Sequence, residues 1–206
     1  MRENYRKQLE SLSRELIAMG SLCESAIDMC IKVISRSEAV GDDIKVLEGE
    51  INSKERELEN LCIKILLQQQ PVASDLRFIS AALKMVTDLE RIGDNAADIA
   101  EVAAYIGQLG EGERKVFSDL SDSVRQIVRN AIDAFVRRDT ELAKETIEYD
   151  TVVDALFVKV KHLVIESIDR ENADGESIID LLMCAKYFER IGDHAVNVAR
   201  WAIFAK

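Results

Sequence analysis

Proline occurs once in 206 residues, aromatic residues amount to 5%, and there are only two histidines. A chain so poor in proline and aromatics lacks the usual makings of sheets and their turns. With only His162 and His194 to draw on, a hydrolytic triad or a zinc hydroxide would have to rest on one of these two. No P-loop and no dinucleotide fingerprint occurs, so nothing signals catalysis and the chain is not expected to be an enzyme. No run of Lys and Arg offsets the formal net charge of −11, which excludes a nucleic-acid partner and favours cations and basic protein surfaces. Apolar runs of about 18 residues are missing too, and the N-terminus is polar. The expectation is a cytoplasmic protein without membrane insertion. Cys23, Cys30, Cys62 and Cys184 form no C-x-x-C pair and read as reduced thiols in apolar surroundings.

What is present is 48% hydrophobic and 32% charged residues, rich in Ala, Leu, Ile, Val, Glu, Lys and Arg, the composition of long helices. The pentapeptide E-R-I-G-D occurs at Glu90 to Asp94 and again at Glu189 to Asp193, 99 residues later. Leu47, Glu48, Glu50 and Leu58 fall 100 residues before Ile147, Glu148, Asp150 and Val158, and Ala26-Ile27-Asp28 echoes Ala131-Ile132-Asp133. A whole half is therefore duplicated. Three glycines between Gly107 and Gly112 mark the break, dividing the chain into residues 1–108 and 109–206.

Around each motif, small and apolar residues recur at steps of three and four: Ile79, Ala82, Val86, Leu89, Gly93, Ala96, Ala100 and Ala103, then Ile178, Leu181, Ala185, Phe188, Gly192, Ala195, Ala199 and Ala202. Amphipathic patterns also cover Leu9–Ile34, Ile44–Leu67, Val116–Phe135 and Leu142–Ile168. Short connections at Gln70 to Ser74 and Arg170 to Ser177 call for antiparallel packing of the second and third helix of each half. The predicted fold is all-α, two tandem three-helix bundles related by the internal repeat.

On a helix, Glu90 and Asp94 lie about 40° apart and one turn apart in height, so their carboxylates can converge. Both directly follow a seam residue, as Glu189 and Asp193 do, and half-buried carboxylates need a compensating cation or donor. Folding each second helix back on the third places Glu50 opposite the first pair, and Asp150 and Asp154 opposite the second. Such an all-oxygen set suits magnesium, manganese or iron. The first half departs from it, because Lys54 stands where the second half has Asp154 and could pair with Glu90 instead. The bland alternative is an interhelical salt bridge at the seam edge. Gly93 and Gly192 cost about 1 kcal/mol each inside a helix relative to alanine, which calls for close approach of a helix or of a metal cluster. His194 reads as an ordinary hydrogen-bonded histidine or as a further ligand after Asp193.

The stretch Q-Q-P-V-A-S-D-L-R-F-I-S-A-A-L-K from Gln69 to Lys84, running into D-L-E-R-I-G-D-N-A-A-D-I-A, resembles the PhoU family of phosphate-signalling proteins. F-E-R-I-G-D-H-A-V-N-V-A, from Phe188 to Ala199, resembles that family's second motif. The resemblance implies a homodimeric cytoplasmic adaptor that represses the phosphate-starvation response. Its partners would be the ATPase of a phosphate ABC transporter and the sensor histidine kinase of a two-component system. It also implies metal ions on the acidic motifs, iron, manganese, magnesium or zinc, held by Glu90 and Asp94 with Glu50, and by Glu189 and Asp193 with Asp150 and Asp154. The competing enzyme reading, a ferritin-like carboxylate-bridged di-iron oxidoreductase, wants Glu-x-x-His pairs, and position three after Glu90 and after Glu189 is glycine.

Overall fold

The computed structural model describes residues 2–35, 41–69, 72–168 and 174–206. Six helices account for nearly all of them: α1 (Arg2–Ile34), α2 (Gly41–Gln69), α3 (Ala73–Ala103), α4 (Glu111–Arg137), α5 (Thr140–Ile168) and α6 (Gly175–Phe204). Each expected amphipathic stretch lies within one of them. The two hairpin connections read from the sequence fall partly outside the described residues. Their consequence, α2 packed on α3 and α5 packed on α6, is observed.

Local chemistry sets several of the boundaries. Asp174 caps α6, its carboxylate accepting from the Glu176 and Ser177 amides. Asp139 does the same for α5 through the amides of Glu141 and Leu142, both at 3.1 Å. At α4 the Glu113 carboxylate accepts from the Gly110 amide at 2.8 Å, satisfying a donor that the helix start leaves over. The glycine-rich segment between the halves is pinned to the second half, with the Gly107 amide donating to Ser177 Oγ at 2.7 Å.

The helices are stacked in an order that follows from which faces are apolar. Among the described residues, α2 packs only on α1 and α3, and α5 only on α4 and α6. The halves meet through α3 against α6 and α1 against α4, so four inner helices join the halves, and the outer α2 and α5 add their buried faces to one shared core. All four cysteines are buried free thiols; Cys23 and Cys30 of α1 donate to the Leu89 and Ala96 carbonyls of α3, and Cys184 to that of Ile99. Burial first, and then the neighbouring Glu24 and Asp180 carboxylates, push the Cys23 and Cys184 thiols up to about 12, which leaves them inert. No helix among the described residues is long and apolar enough to cross a membrane.

Packing also shows the register of the repeat. Ile44, Ile51, Leu58 and Ile65 are the heptad-spaced buried residues of α2, and Thr146, Val153, Val160 and Ser167 are those of α5. Ile51 faces Gly93, and Val153 faces Gly192. Position 51 therefore corresponds to 153, while 93 corresponds to 192. Between these positions the second hairpin is three residues shorter than the first, because its two helices reach less far towards the tip, even though six residues separate α5 from α6 and three separate α2 from α3.

Candidate functional site: two acidic seams and the clamp between them

The second seam carries four carboxylates from two helices. Asp150 on α5 is half-buried, and its pKa is pushed up to about 6, first by burial and then by the negative charges of Asp154, Asp193 and Glu189, with Arg200 opposing. The other three residues read from the sequence are thus within electrostatic reach of Asp150. Asp154 and Asp193 sit at the solvent edge, and Glu189 is paired with Lys186 one turn earlier. Gly192 makes room for this cluster: a Cβ there would meet Asp150 Oδ1 and Val153 Cγ1, each at 3.2 Å. Among the described residues, no three Asp, Glu, His or Cys side chains are gathered closely enough to hold a metal ion as they stand. The donor set itself, four carboxylates offset by Lys186 on Glu189 and by Arg200, is all oxygen, which is the chemistry a hard cation takes.

The first seam is built differently. Glu90 is pushed up by burial, then by Asp94 and Glu55, while Arg91 opposes. Arg91 bridges the pair directly, at 3.4 Å from Glu90 and 3.0 Å from Asp94. The expected partner Glu50 is exposed instead, and the α2 carboxylate that acts on the motif is Glu55. The reason is the register: Glu50 precedes the seam residue Ile51 by about 100° of helix rotation, whereas Glu55 follows it by about 40°. Lys54 likewise does not reach the motif, since its ammonium pairs with Glu57 at 2.8 Å and with Glu15 of α1 at 3.0 Å. Counted from the buried seam, the counterparts of Asp150 and Asp154 are Glu48 and Asn52. Asn52 keeps a buried Oδ1 without a hydrogen-bond partner. Gly93 lies against Ile51, where a Cβ would come within 2.9 Å of Cδ1 and 3.1 Å of Cγ2. In both halves the glycine thus serves close approach of the facing helix.

Between the seams lies a contact that the sequence reading missed. Asp88 of α3 is 15% exposed and accepts from three groups of α6: Asn197 Nδ2 at 3.3 Å, Trp201 Nε1 at 2.9 Å and the ring of His194, whose Nδ1 lies at 3.0 Å. His194 is accordingly a hydrogen-bonded histidine of the inter-half contact. The duplicated position of Asp88 is Tyr187, which is pushed up by burial and by Asp98, the counterpart of Asn197. Asp98, Val102 and Tyr187 line one cavity on the opposite side of the α3–α6 crossing. The crossing thus repeats itself about a local two-fold, with polar clamping on one side and a cavity on the other. The only signal in the sequence was that Asp88 breaks the duplication, because D-L-E-R-I-G-D becomes Y-F-E-R-I-G-D.

Known proteins of similar fold and related sequence give this arrangement a setting. The PhoU domain matches residues 16–103 and again residues 117–202. A phosphate-specific transport system accessory protein PhoU homolog from Pseudomonas putida is 32% identical over 205 residues, covering 98% of this chain and 80% of that protein. The homolog from Clostridium acetobutylicum is 31% identical over 206 residues, covering 98% and 94%. A crystal structure of PhoU from Pseudomonas aeruginosa superimposes with a TM-score of 0.87 at 30% identity, over 98% of both chains. The phosphate transport system regulatory protein PhoU from Streptococcus pneumoniae has the same fold, with a TM-score of 0.87 at 20% identity. Two matched domains covering most of the chain, in the same six-helix arrangement, place this protein in the PhoU family.

Proposed function

We propose that this protein is an accessory regulator of phosphate-specific transport. It acts by binding and not by catalysis, as a cytoplasmic homodimer that links the ATPase of a phosphate ABC transporter to a sensor histidine kinase. The observation that carries this reading is the doubled PhoU domain, together with relatives named as accessory to that transport system. Deleting the gene would derepress alkaline phosphatase in phosphate-rich medium. Unchanged phosphatase would count against the regulatory role, and unchanged phosphate uptake against the transport role.

Metal enters this proposal at the second seam. Asp150, Asp154, Glu189 and Asp193 would hold iron, manganese, magnesium or zinc, which would supply positive charge beyond what Lys186 and Arg200 bring to four carboxylates. The raised Asp150 supports this, because mutual repulsion of that kind is what a cation relieves. Elemental analysis of protein purified without chelator, beside E189A/D193A, decides it. Stoichiometric metal that disappears in the variant is expected, and metal-free protein that stays so after incubation with these ions would remove metal from the function.

A second reading has its own support in the first half. Arg91 already neutralises Glu90 and Asp94 from the same helix, so the first motif serves as an ion-pair cluster within α3 and not as a metal site. On that reading the E189A/D193A variant loses all bound metal, and E90A/D94A loses none.

A further inference from the structure

The α1–α4 seam carries a cavity of about 490 Å³ that lies away from both acidic motifs. Arg6 and Arg14 of α1 and Arg138 after α4 line it, over an apolar floor that includes Leu9, Phe78 and Val136, and Glu10 is its one carboxylate. In a chain of net charge −11, three guanidiniums on one cavity run against the overall trend. Arg14 makes no ion pair among the described residues, and the Arg6–Glu10 contact at 3.5 Å joins two exposed side chains and holds Arg6 weakly.

Arg138 adds an independent observation. It ends α4 in the left-handed conformation, φ 54 and ψ 38, and is the one non-glycine residue with positive φ among the described residues. Glycine is the residue that this helix-ending position favours, and an L side chain there is strained. The side chain retained at that cost stacks its guanidinium over the Phe78 ring at 4.5 Å, and Phe78 in turn stacks on Phe135 at 5.0 Å. An arginine held rigidly on an aromatic face keeps its hydrogen-bonding fork free for an oxyanion.

We propose that this cavity binds a small organic oxyanion, a phosphate or carboxylate carried on an apolar body, with Arg14 and Arg138 engaging the anionic head and the floor of Leu9 and Val136 receiving the rest. The volume fits a small molecule, and the charge pattern fits its head group.

Calorimetric titration of the full chain with phenyl phosphate and with benzoate tests this, with inorganic phosphate and benzyl alcohol as the separate halves of the probe. At least one of the two aromatic anions should bind about tenfold more tightly than inorganic phosphate or benzyl alcohol, and the preferred one identifies the head group. Arg14→Gln should weaken binding about tenfold, Glu10→Gln should strengthen it, and Lys115→Gln on the far end of α4 should leave it unchanged. Arg138→Gly separates binding from folding: it should weaken binding about tenfold while the thermal midpoint stays level or rises, since glycine suits the backbone there. The proposal is overturned if neither aromatic anion binds at about 10 mM, if neither outbinds both halves of the probe, or if Arg14→Gln and Arg138→Gly leave binding intact.

Discussion

Replacing Gly93 by alanine sets two effects of similar size against each other. Alanine gains about 1 kcal/mol of helix propensity over glycine. Against this, the new Cβ would sit 2.9 Å from Ile51 Cδ1 and 3.1 Å from Cγ2, closer than such contacts normally come. Cγ2 is fixed to the branched carbon, and because Ile51 is fully buried Cδ1 has no open space to swing into, so α2 and α3 must separate locally. Overpacking of this kind costs about 1–3 kcal/mol, leaving a net destabilisation of about 0–2 kcal/mol. The assay is urea unfolding followed by far-UV circular dichroism at fixed protein concentration. A double-mutant cycle with Ile51→Val sharpens it. Alone, Ile51→Val should cost about 1 kcal/mol; in the Gly93→Ala background it removes the clashing Cδ1 and should cost nothing or stabilise. Additive effects, or a Gly93→Ala protein more stable than the parent, would falsify the close-approach account of this glycine.

At Gly192 the same substitution meets Asp150 Oδ1 and Val153 Cγ1 at 3.2 Å, a milder contact, so Gly192→Ala should lie within about 1 kcal/mol of the parent in the same urea assay. Asp88→Ala leaves three α6 donors without their acceptor and should cost about 1–3 kcal/mol; Trp201, the sole tryptophan, should shift its emission to the red as its indole N–H loses its partner. Unmoved emission would mean the clamp is not formed in solution. In chelated protein, Asp150 with a folded pKa of about 6 binds a proton that the unfolded chain, with its value near 3.8, releases earlier. Its contribution therefore lowers stability as pH rises from about 4 to about 6 and stays constant above. Asp150→Asn, by removing a charge facing Asp154, Asp193 and Glu189 with Arg200 as the sole counterweight, should stabilise by about 1 kcal/mol near pH 7.5 once solvent screening is allowed for, and not near pH 4. Equal gains at both pH values would remove the electrostatic explanation.

The helices, their antiparallel pairing and the duplicated plan were legible because seam residues at steps of three and four leave a strong periodic trace. The second acidic seam was legible for the same reason, since Asp150 and Asp154 flank Val153 on the side that faces Glu189 and Asp193. The first was not. Aligning the halves without gaps, at an offset of 100, matched Glu50 with Asp150 and Lys54 with Asp154, whereas the buried seam of α2 corresponds to that of α5 at an offset of 102. Two residues of slip on a helix rotate a side chain by about 200°, enough to turn a site residue to the outside. The slip was hidden because the three-residue difference in hairpin length falls at the tip, beyond the last seam residues, where no periodicity records it. Asp88 was missed for a different reason: its partners lie in the other half, 106 to 113 residues away, and no local pattern joins them.

The stacking order has a consequence for how the second seam could respond to its surroundings. Asp150 and Asp154 ride on α5, which is held only by the helices of its own half, whereas Glu189 and Asp193 ride on α6, which is clamped across the molecule by Asp88. An outer helix with fewer neighbours opens at lower free energy than an inner one. The cluster is thus split between a loosely moored element and a firmly moored one. A modest outward movement of α5 would part its carboxylates while leaving the inner four helices intact, and whatever draws those carboxylates together would tether α5 in return.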